Sequence, residues 1–306
     1  MSRTTFQGTL TAIVTPFTSD GAEVDYVALD ALVEAQIAGG VSGLVPCGTT
    51  GEAPTLSDEE QIAVIRRVVE RTKGRVPVVA GTGSFSTKKT IAASLAAKDA
   101  GVDGVMVVMP YYNKPSQDGM RAHVVAVAEK VELPIILYNI PGRSVVDLAV
   151  DTTEKICQDA PNVVAMKEAT GNVLRCQELL HRLGDRLTVL SGDDGLTVPM
   201  MSLGAKGVIS VTSNVFPKAV SAVTSAWLEG RVEDARRAHF ALLDFHAAFF
   251  VEPNPAPAKA ALHILGKRGQ SFAMSPAVRG PMLAASPALT AKLEAMLERA
   301  PLGVRS

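Results

Sequence analysis

Short apolar runs alternate with amphipathic stretches along most of this chain. Eight such runs, Leu10–Val14, Gly43–Cys47, Val76–Ala80, Gly104–Met109, Ile135–Asn139, Val163–Lys167, Leu187–Ser191 and Gly207–Val211, recur at spacings of roughly 20 to 35 residues. A strand plus a crossover helix needs that interval. Between the runs the period becomes helical. Over Ser57–Lys73, Ile62, Ile65, Val68 and Val69 form one apolar face, Ser57 and Glu60 have capping-box spacing, and Gly74 supplies a stop. Strand then helix, repeated eight times, predicts an α/β fold, a (β/α)8 TIM barrel. A doubly wound open sheet would carry a glycine-rich nucleotide turn after its first strand, and Thr15-Pro16-Phe17-Thr18-Ser19-Asp20-Gly21 is not one. Beyond Trp227, helical stretches near 231–251, 256–267 and 288–299 follow without intervening strands. They read as a C-terminal helical appendage, which divides the chain into a barrel domain of residues 1–229 and an appendage of 230–306. Pro253, Pro255 and Pro257 separate the first two of these helices.

Composition narrows the function classes. At 306 residues and 47% hydrophobic content the chain can bury a large core. Its 30 Lys+Arg against 31 Asp+Glu leave a formal net charge of −1, and no basic stripe offers a footprint for nucleic acid. Met1–Gly8 lacks the apolar stretch of a signal peptide and no later run reaches membrane-spanning length, so a cytoplasmic protein is expected. Cys47, Cys157 and Cys176 are an odd number without CxxC spacing, which argues against a disulfide framework or structural zinc. The histidines fall on predicted helices and none closes a strand, so no metal site is expected. Cys47 reads as a small packing residue.

In a (β/α)8 barrel the chemistry sits at the C-terminal ends of the strands, so the polar residues closing each run are the candidates. They are Gly48-Thr49-Thr50-Gly51-Glu52, Pro110-Tyr111-Tyr112-Asn113, Tyr138-Asn139-Ile140-Pro141-Gly142-Arg143, Lys167 and Ser191-Gly192-Asp193-Asp194. Lys167 is the most informative. Alternation predicts that Val163, Ala165 and Lys167 share one face of their strand and Val164, Met166 and Glu168 the other. Lysine is seldom buried, because burial disfavours its charged form and favours the nucleophilic amine, the chemistry of a Schiff-base lysine. Tyr138 shares its face with Ile136 on the neighbouring strand, which brings a phenol within proton-shuttling reach of that amine. The Gly48–Gly51 turn offers hydroxyls and backbone N–H groups to a small anion, a carboxylate rather than a phosphate. Arg143 could hold a second carboxylate through paired N–H bonds. Asp193 and Asp194 read as loop-capping residues rather than metal ligands.

Together, Gly48-Thr49-Thr50-Gly51-Glu52, Tyr138-Asn139-Ile140-Pro141 and Lys167-Glu168-Ala169 resemble the dihydrodipicolinate synthase and N-acetylneuraminate lyase family over nearly the whole chain. The resemblance implies a Schiff base between Lys167 and pyruvate. It implies that Thr49 and Thr50 hold the pyruvate carboxylate, that Tyr138, Thr49 and Tyr112 form a proton relay, and that Gly192 and Ile209 line the pocket. Tyr112 would reach the neighbouring subunit's site, which implies a homotetramer built as a dimer of dimers. The implied reaction condenses pyruvate with L-aspartate 4-semialdehyde to give 4-hydroxy-tetrahydrodipicolinate, a step toward lysine, with neither metal nor organic cofactor. Arg143 favours that substrate, because the sialic acid and sugar-acid lyases of the family generally lack an arginine there; Ser144 departs from the usual threonine. A catalytically inactive binding relative is the more distant alternative. At the place where lysine-inhibited relatives bind their effector, this chain carries Pro54, Asp58, Gln61, Phe85 and Lys89, which predicts weak lysine inhibition.

Overall fold

In the computed structural model, which describes residues 6–270 and 272–300, eight parallel strands form the inner ring. They are β1 (Gly8–Thr11), β2 (Gly43–Leu44), β3 (Val79–Gly81), β4 (Gly104–Val108), β5 (Ile135–Asn139), β6 (Val163–Glu168), β7 (Thr188–Ser191) and β8 (Gly207–Ser210). The helices are α1 (Tyr26–Ala38), α2 (Asp58–Thr72), α3 (Thr87–Asp99), α4 (Gln117–Val131), a single turn α5 (Pro141–Ser144), α6 (Val150–Asp159), α7 (Val173–Leu183), α8 (Thr197–Ser202) and α9 (Pro217–Leu228). After the barrel come α10 (Val232–Ala248), α11 (Ala256–Lys267) and α12 (Pro287–Arg299). The residues read as signal-peptide-free at the extreme N-terminus, 1–5, and the last six of the predicted appendage, 301–306, lie outside the described residues. No helix among the described residues is long and apolar enough to cross a membrane.

The strand order β2-β1-β8-β7-β6-β5-β4-β3 closes on itself at β2 and β3, where Leu44 N donates to Pro77 O (3.0 Å) and Gly81 N to Pro46 O (2.9 Å). Prolines also explain why two strands are shorter than their apolar runs. Pro46 and Pro77 have no N–H for a ladder, and Cys47 adopts a left-handed φ of 56°, so β2 stops at Leu44 and β3 begins only at Val79. On α2 the Ser57–Glu60 capping box forms in both directions, and Lys73 itself takes the left-handed C-cap conformation before Gly74.

Two apolar layers result. Leu10, Val45, Met106, Ile136, Leu190 and Ile209 pack inside the ring, while outward strand residues such as Val105, Leu137 and Met166 pack under the helices. One register detail departs from simple alternation. Ile135 pairs with Val163 but Ile136 pairs with Ala165, so a β-bulge absorbs Val164. Val163 therefore joins the outer layer and Val164 the inner one, opposite to the sequence expectation, while Ala165 and Lys167 keep the inward face. The predicted helical stretches after the barrel form as α10 to α12. Phe245 packs edge-on against Phe216 at the barrel's edge, ring centres 4.6 Å apart, and Phe249 stacks on the same ring.

Candidate active site

Lys167 lies on the last inward-facing turn of β6 and is 4% exposed. The bulge at Val164 leaves it directly beside Tyr138, its Cα partner on β5, and its Nζ sits 4.3 Å from the centre of the Tyr138 ring. Among the described residues no carboxylate lies within ion-pairing distance of that amine. Glu168, the next residue, points the other way: its Oε2 accepts from Arg175 Nε (2.9 Å) and its Oε1 from Thr170 N (2.8 Å). The one carboxylate adjacent in sequence is thereby held outside the ring, and the amine faces an aromatic face instead.

A cavity of about 630 Å³ opens at this end of the barrel, lined by Gly48, Thr49, Met106, Tyr138, Arg143 and Ser144 among others. Thr49 is half-buried. Thr50 is fully buried, and its Oγ1 accepts from Asn254 Nδ2 (3.0 Å). The turn that carries both is tight. A Cβ on Gly51 would lie 2.9 Å from Cys47 N, and Thr15 Oγ1 donates to Gly51 O (2.7 Å). Gly192 is required for a similar reason, since a Cβ there would come within 2.5 Å of Ala169 Cβ just past the ends of the neighbouring strands β7 and β6. Ile209 is buried inside the ring. Arg143, on the one-turn helix α5, is exposed at the cavity wall, and Ser144 anchors that turn with its one hydroxyl proton shared between Ile140 O (2.9 Å) and Val146 O (3.0 Å).

Of the predicted site residues, Thr49, Tyr138 and Arg143 line the cavity itself, Lys167, Thr50, Gly192 and Ile209 are not on its wall, and Tyr112 stands apart. It is 89% exposed and takes a left-handed φ of 68°, so a single chain presents its phenol to solvent. Its neighbour Tyr111 packs edge-on against Phe85, ring centres 5.6 Å apart, and burial raises its phenol pKa. Cys47 borders the cavity, but burial pushes its thiol far up and its Sγ is turned toward Gln61 O, so it has no thiolate character.

The two aspartates after β7 do cap loops. Asp194 Oδ2 accepts from Val211 N (2.8 Å) and Thr212 N (3.1 Å), and Oδ1 from Ser210 Oγ, which fixes the end of β8 next to Ile209. Asp193 Oδ1 accepts from Gly195 N (2.9 Å), and burial raises its pKa against the opposing effect of that bond. Sequence reasoning missed Asn254, Lys259 and Arg279. Lys259 is completely buried, its Nζ 2.5 Å from Glu52 Oε1, and burial lowers its pKa to about 8 despite that partner. The signal was present only as Glu52 at the end of the turn motif and a lysine in the apolar stretch of α11.

Comparisons with known proteins identify the family. A family model described as the Dihydrodipicolinate synthetase family matches residues 5–300. A 4-hydroxy-tetrahydrodipicolinate synthase of Sorangium cellulosum is 66% identical over 299 residues, which cover 98% of this chain and 97% of the relative. The crystal structure of dihydrodipicolinate synthase from Aquifex aeolicus superposes with a TM-score of 0.92 at 44% identity, covering 98% of this chain and 100% of that one. That of the chloride-inhibited dihydrodipicolinate synthase from Acinetobacter baumannii, complexed with pyruvate, superposes at 0.93 with 42% identity and the same coverage. A full-length family match, a relative sharing two residues in three and the barrel's superposition together establish that the chain belongs to the dihydrodipicolinate synthetase family.

Proposed function

We propose that this chain is a Schiff-base-forming lyase that condenses pyruvate with L-aspartate 4-semialdehyde to 4-hydroxy-tetrahydrodipicolinate. The observation that carries the reading is the buried Lys167 amine against the Tyr138 ring at the mouth of the barrel. The names of its relatives and the pyruvate bound by the Acinetobacter enzyme support the substrates. In this reading the Lys167 amine attacks C2 of pyruvate, giving a carbinolamine whose hydroxyl leaves as water. Thr49 and Thr50 hold the carboxylate, and Gly192 and Ile209 bound the pocket. Tyr138, with Thr49 and the partner subunit's Tyr112, carries protons to and from the leaving oxygen. Loss of a C3 proton gives the enamine, which attacks the aldehyde carbon. The semialdehyde's own amine then displaces Lys167 from C2 and closes the ring.

The exposure of Tyr112 supports a tight dimer, since a phenol placed in solvent by an unusual backbone serves the proposed relay when a second copy receives it, and the family resemblance extends this to a homotetramer of two such dimers. A cytoplasmic location goes with the reading, a compartment where the thiols of Cys47 and Cys176 stay reduced. The test is turnover: purified enzyme should form the cyclic product from pyruvate and the semialdehyde. Cleavage of N-acetylneuraminate or a 2-keto-3-deoxy sugar acid, without that condensation, would overturn the choice of aldehyde.

Arg143 is the proposed ligand of the semialdehyde carboxylate. Arg143→Ala should raise the semialdehyde KM by roughly 10- to 100-fold, the worth of a charge-assisted bond, and leave pyruvate capture unchanged. Equal losses for both substrates would remove that assignment. Pro54, Asp58, Gln61, Phe85 and Lys89 line the outer part of the same cavity, with Lys89 Nζ 6.0 Å from the centre of the Phe85 ring. A cation there opposes a second ammonium, so half-inhibition by L-lysine should need about millimolar concentrations or more. Micromolar inhibition would contradict this.

A further inference from the structure

The turn that carries Thr49 and Thr50 runs between two non-glycine residues in left-handed backbone, Cys47 (φ 56°) and Glu52 (φ 55°). Such conformations persist only where surrounding contacts hold them. The contacts at Glu52 come from the far end of the chain. Lys259 Nζ on α11 donates to Glu52 Oε1 (2.5 Å) and to Ala277 O (2.9 Å), and Arg279 N donates to Glu52 Oε2 (2.9 Å). Phe17 closes the site from the barrel side, its ring centre 4.1 Å from Lys259 Nζ and 4.4 Å from the Arg279 guanidinium carbon. Arg279 in turn pairs with Glu60 through both carboxylate oxygens (2.7 Å each), at the start of α2. A second tether joins the same segments two residues upstream, where Asn254 Nδ2 donates to Thr50 Oγ1.

That second tether has a directional consequence. The Asn254 amide turns Nδ2 toward Thr50 Oγ1 and leaves its own Oδ1 buried without a partner among the described residues, so the Thr50 oxygen accepts, and its hydroxyl proton makes no other hydrogen bond among the described residues. The first tether fixes where the turn ends. We infer that Lys259 and Asn254 are positioning residues for pyruvate: through Glu52 and Thr50, the segment after the barrel sets the placement of the carboxylate-binding turn. The inference rests on the proposed role of Thr49 and Thr50. Stability alone would not demand this arrangement, because a buried ion pair is commonly replaceable by apolar residues of similar volume without loss of stability.

The experiment measures the pyruvate concentration that half-saturates borohydride-trapped adduct, together with Tm, for the intact enzyme and three variants. Asn254→Ala is a small truncation expected to fold. The pair Glu52→Gln with Lys259→Met removes both buried charges at nearly constant volume, and Lys259→Met alone strands the carboxylate. Half-saturation should rise about tenfold in Asn254→Ala and in the paired variant, within the ~100-fold that ångström-scale misplacement can cost. The adduct reached at saturating pyruvate and the semialdehyde KM should stay at the wild-type level, and the paired variant should keep its Tm. Half-saturation at wild-type pyruvate in Asn254→Ala or in the paired variant overturns the inference. Failure of the unsubstituted enzyme to trap pyruvate overturns instead the reading of the site on which it rests.

Discussion

Replacing Lys167 with alanine should lower kcat/KM by roughly four orders of magnitude or more. Without an imine at C2, pyruvate has no electron sink for loss of its C3 proton, and the enamine does not form. The fold should survive the change. Lys167→Met is the sharper control, because it keeps the side-chain volume and removes the amine. A lysine that is 4% exposed, with an aromatic ring and no ion-pairing carboxylate beside it among the described residues, carries a desolvation cost that methionine does not. Methionine should therefore hold or raise Tm while activity falls to the same floor as with alanine. Activity within about tenfold of wild type in either variant would contradict the covalent role.

Tyr138→Phe should lower kcat by about a thousandfold, in the middle of the range for general acid–base catalysis. Phenylalanine keeps the ring on which the Lys167 amine rests, so the amine stays in place and only the hydroxyl is lost. Rate and occupancy should then separate. Adduct formation slows because carbinolamine formation and dehydration lose their proton carrier, yet prolonged incubation should bring trapped pyruvate close to the wild-type amount. A kcat within about threefold of wild type would assign the relay elsewhere, whereas loss of the adduct even at long times would make the hydroxyl a requirement for the imine's stability rather than a proton carrier.

Much of this was legible in the sequence because barrel architecture is a periodic property. The alternation of β and helical periods identifies all eight strands and the helices beyond them, and the strand-end rule gathers Thr49, Tyr138, Arg143 and Lys167. The pairing of Tyr138 with Lys167 followed from strands β5 and β6 being neighbours. Features that break periodicity were not legible. The bulge at Val164 reverses the faces of two valines, and nothing in a run of small apolar side chains marks where an extra residue is absorbed. Pro46 and Pro77 could have been read as shortening β2 and β3, since each removes a ladder donor. The tethers from Asn254 and Lys259 to the Thr49–Thr50 turn span more than two hundred residues, and no local pattern encodes them. Nothing in the sequence sets the lysine of α11 apart from any other lysine on a helix, and only its complete burial against Glu52 distinguishes it.

The most direct test of the central claim is peptide mass spectrometry after incubation with pyruvate and borohydride. The peptide containing Lys167 should gain the mass of one pyruvate less one oxygen atom, and the Lys167→Ala protein should gain nothing. An unmodified Lys167 peptide, or an adduct on another lysine such as Lys89 or Lys259, would contradict the account.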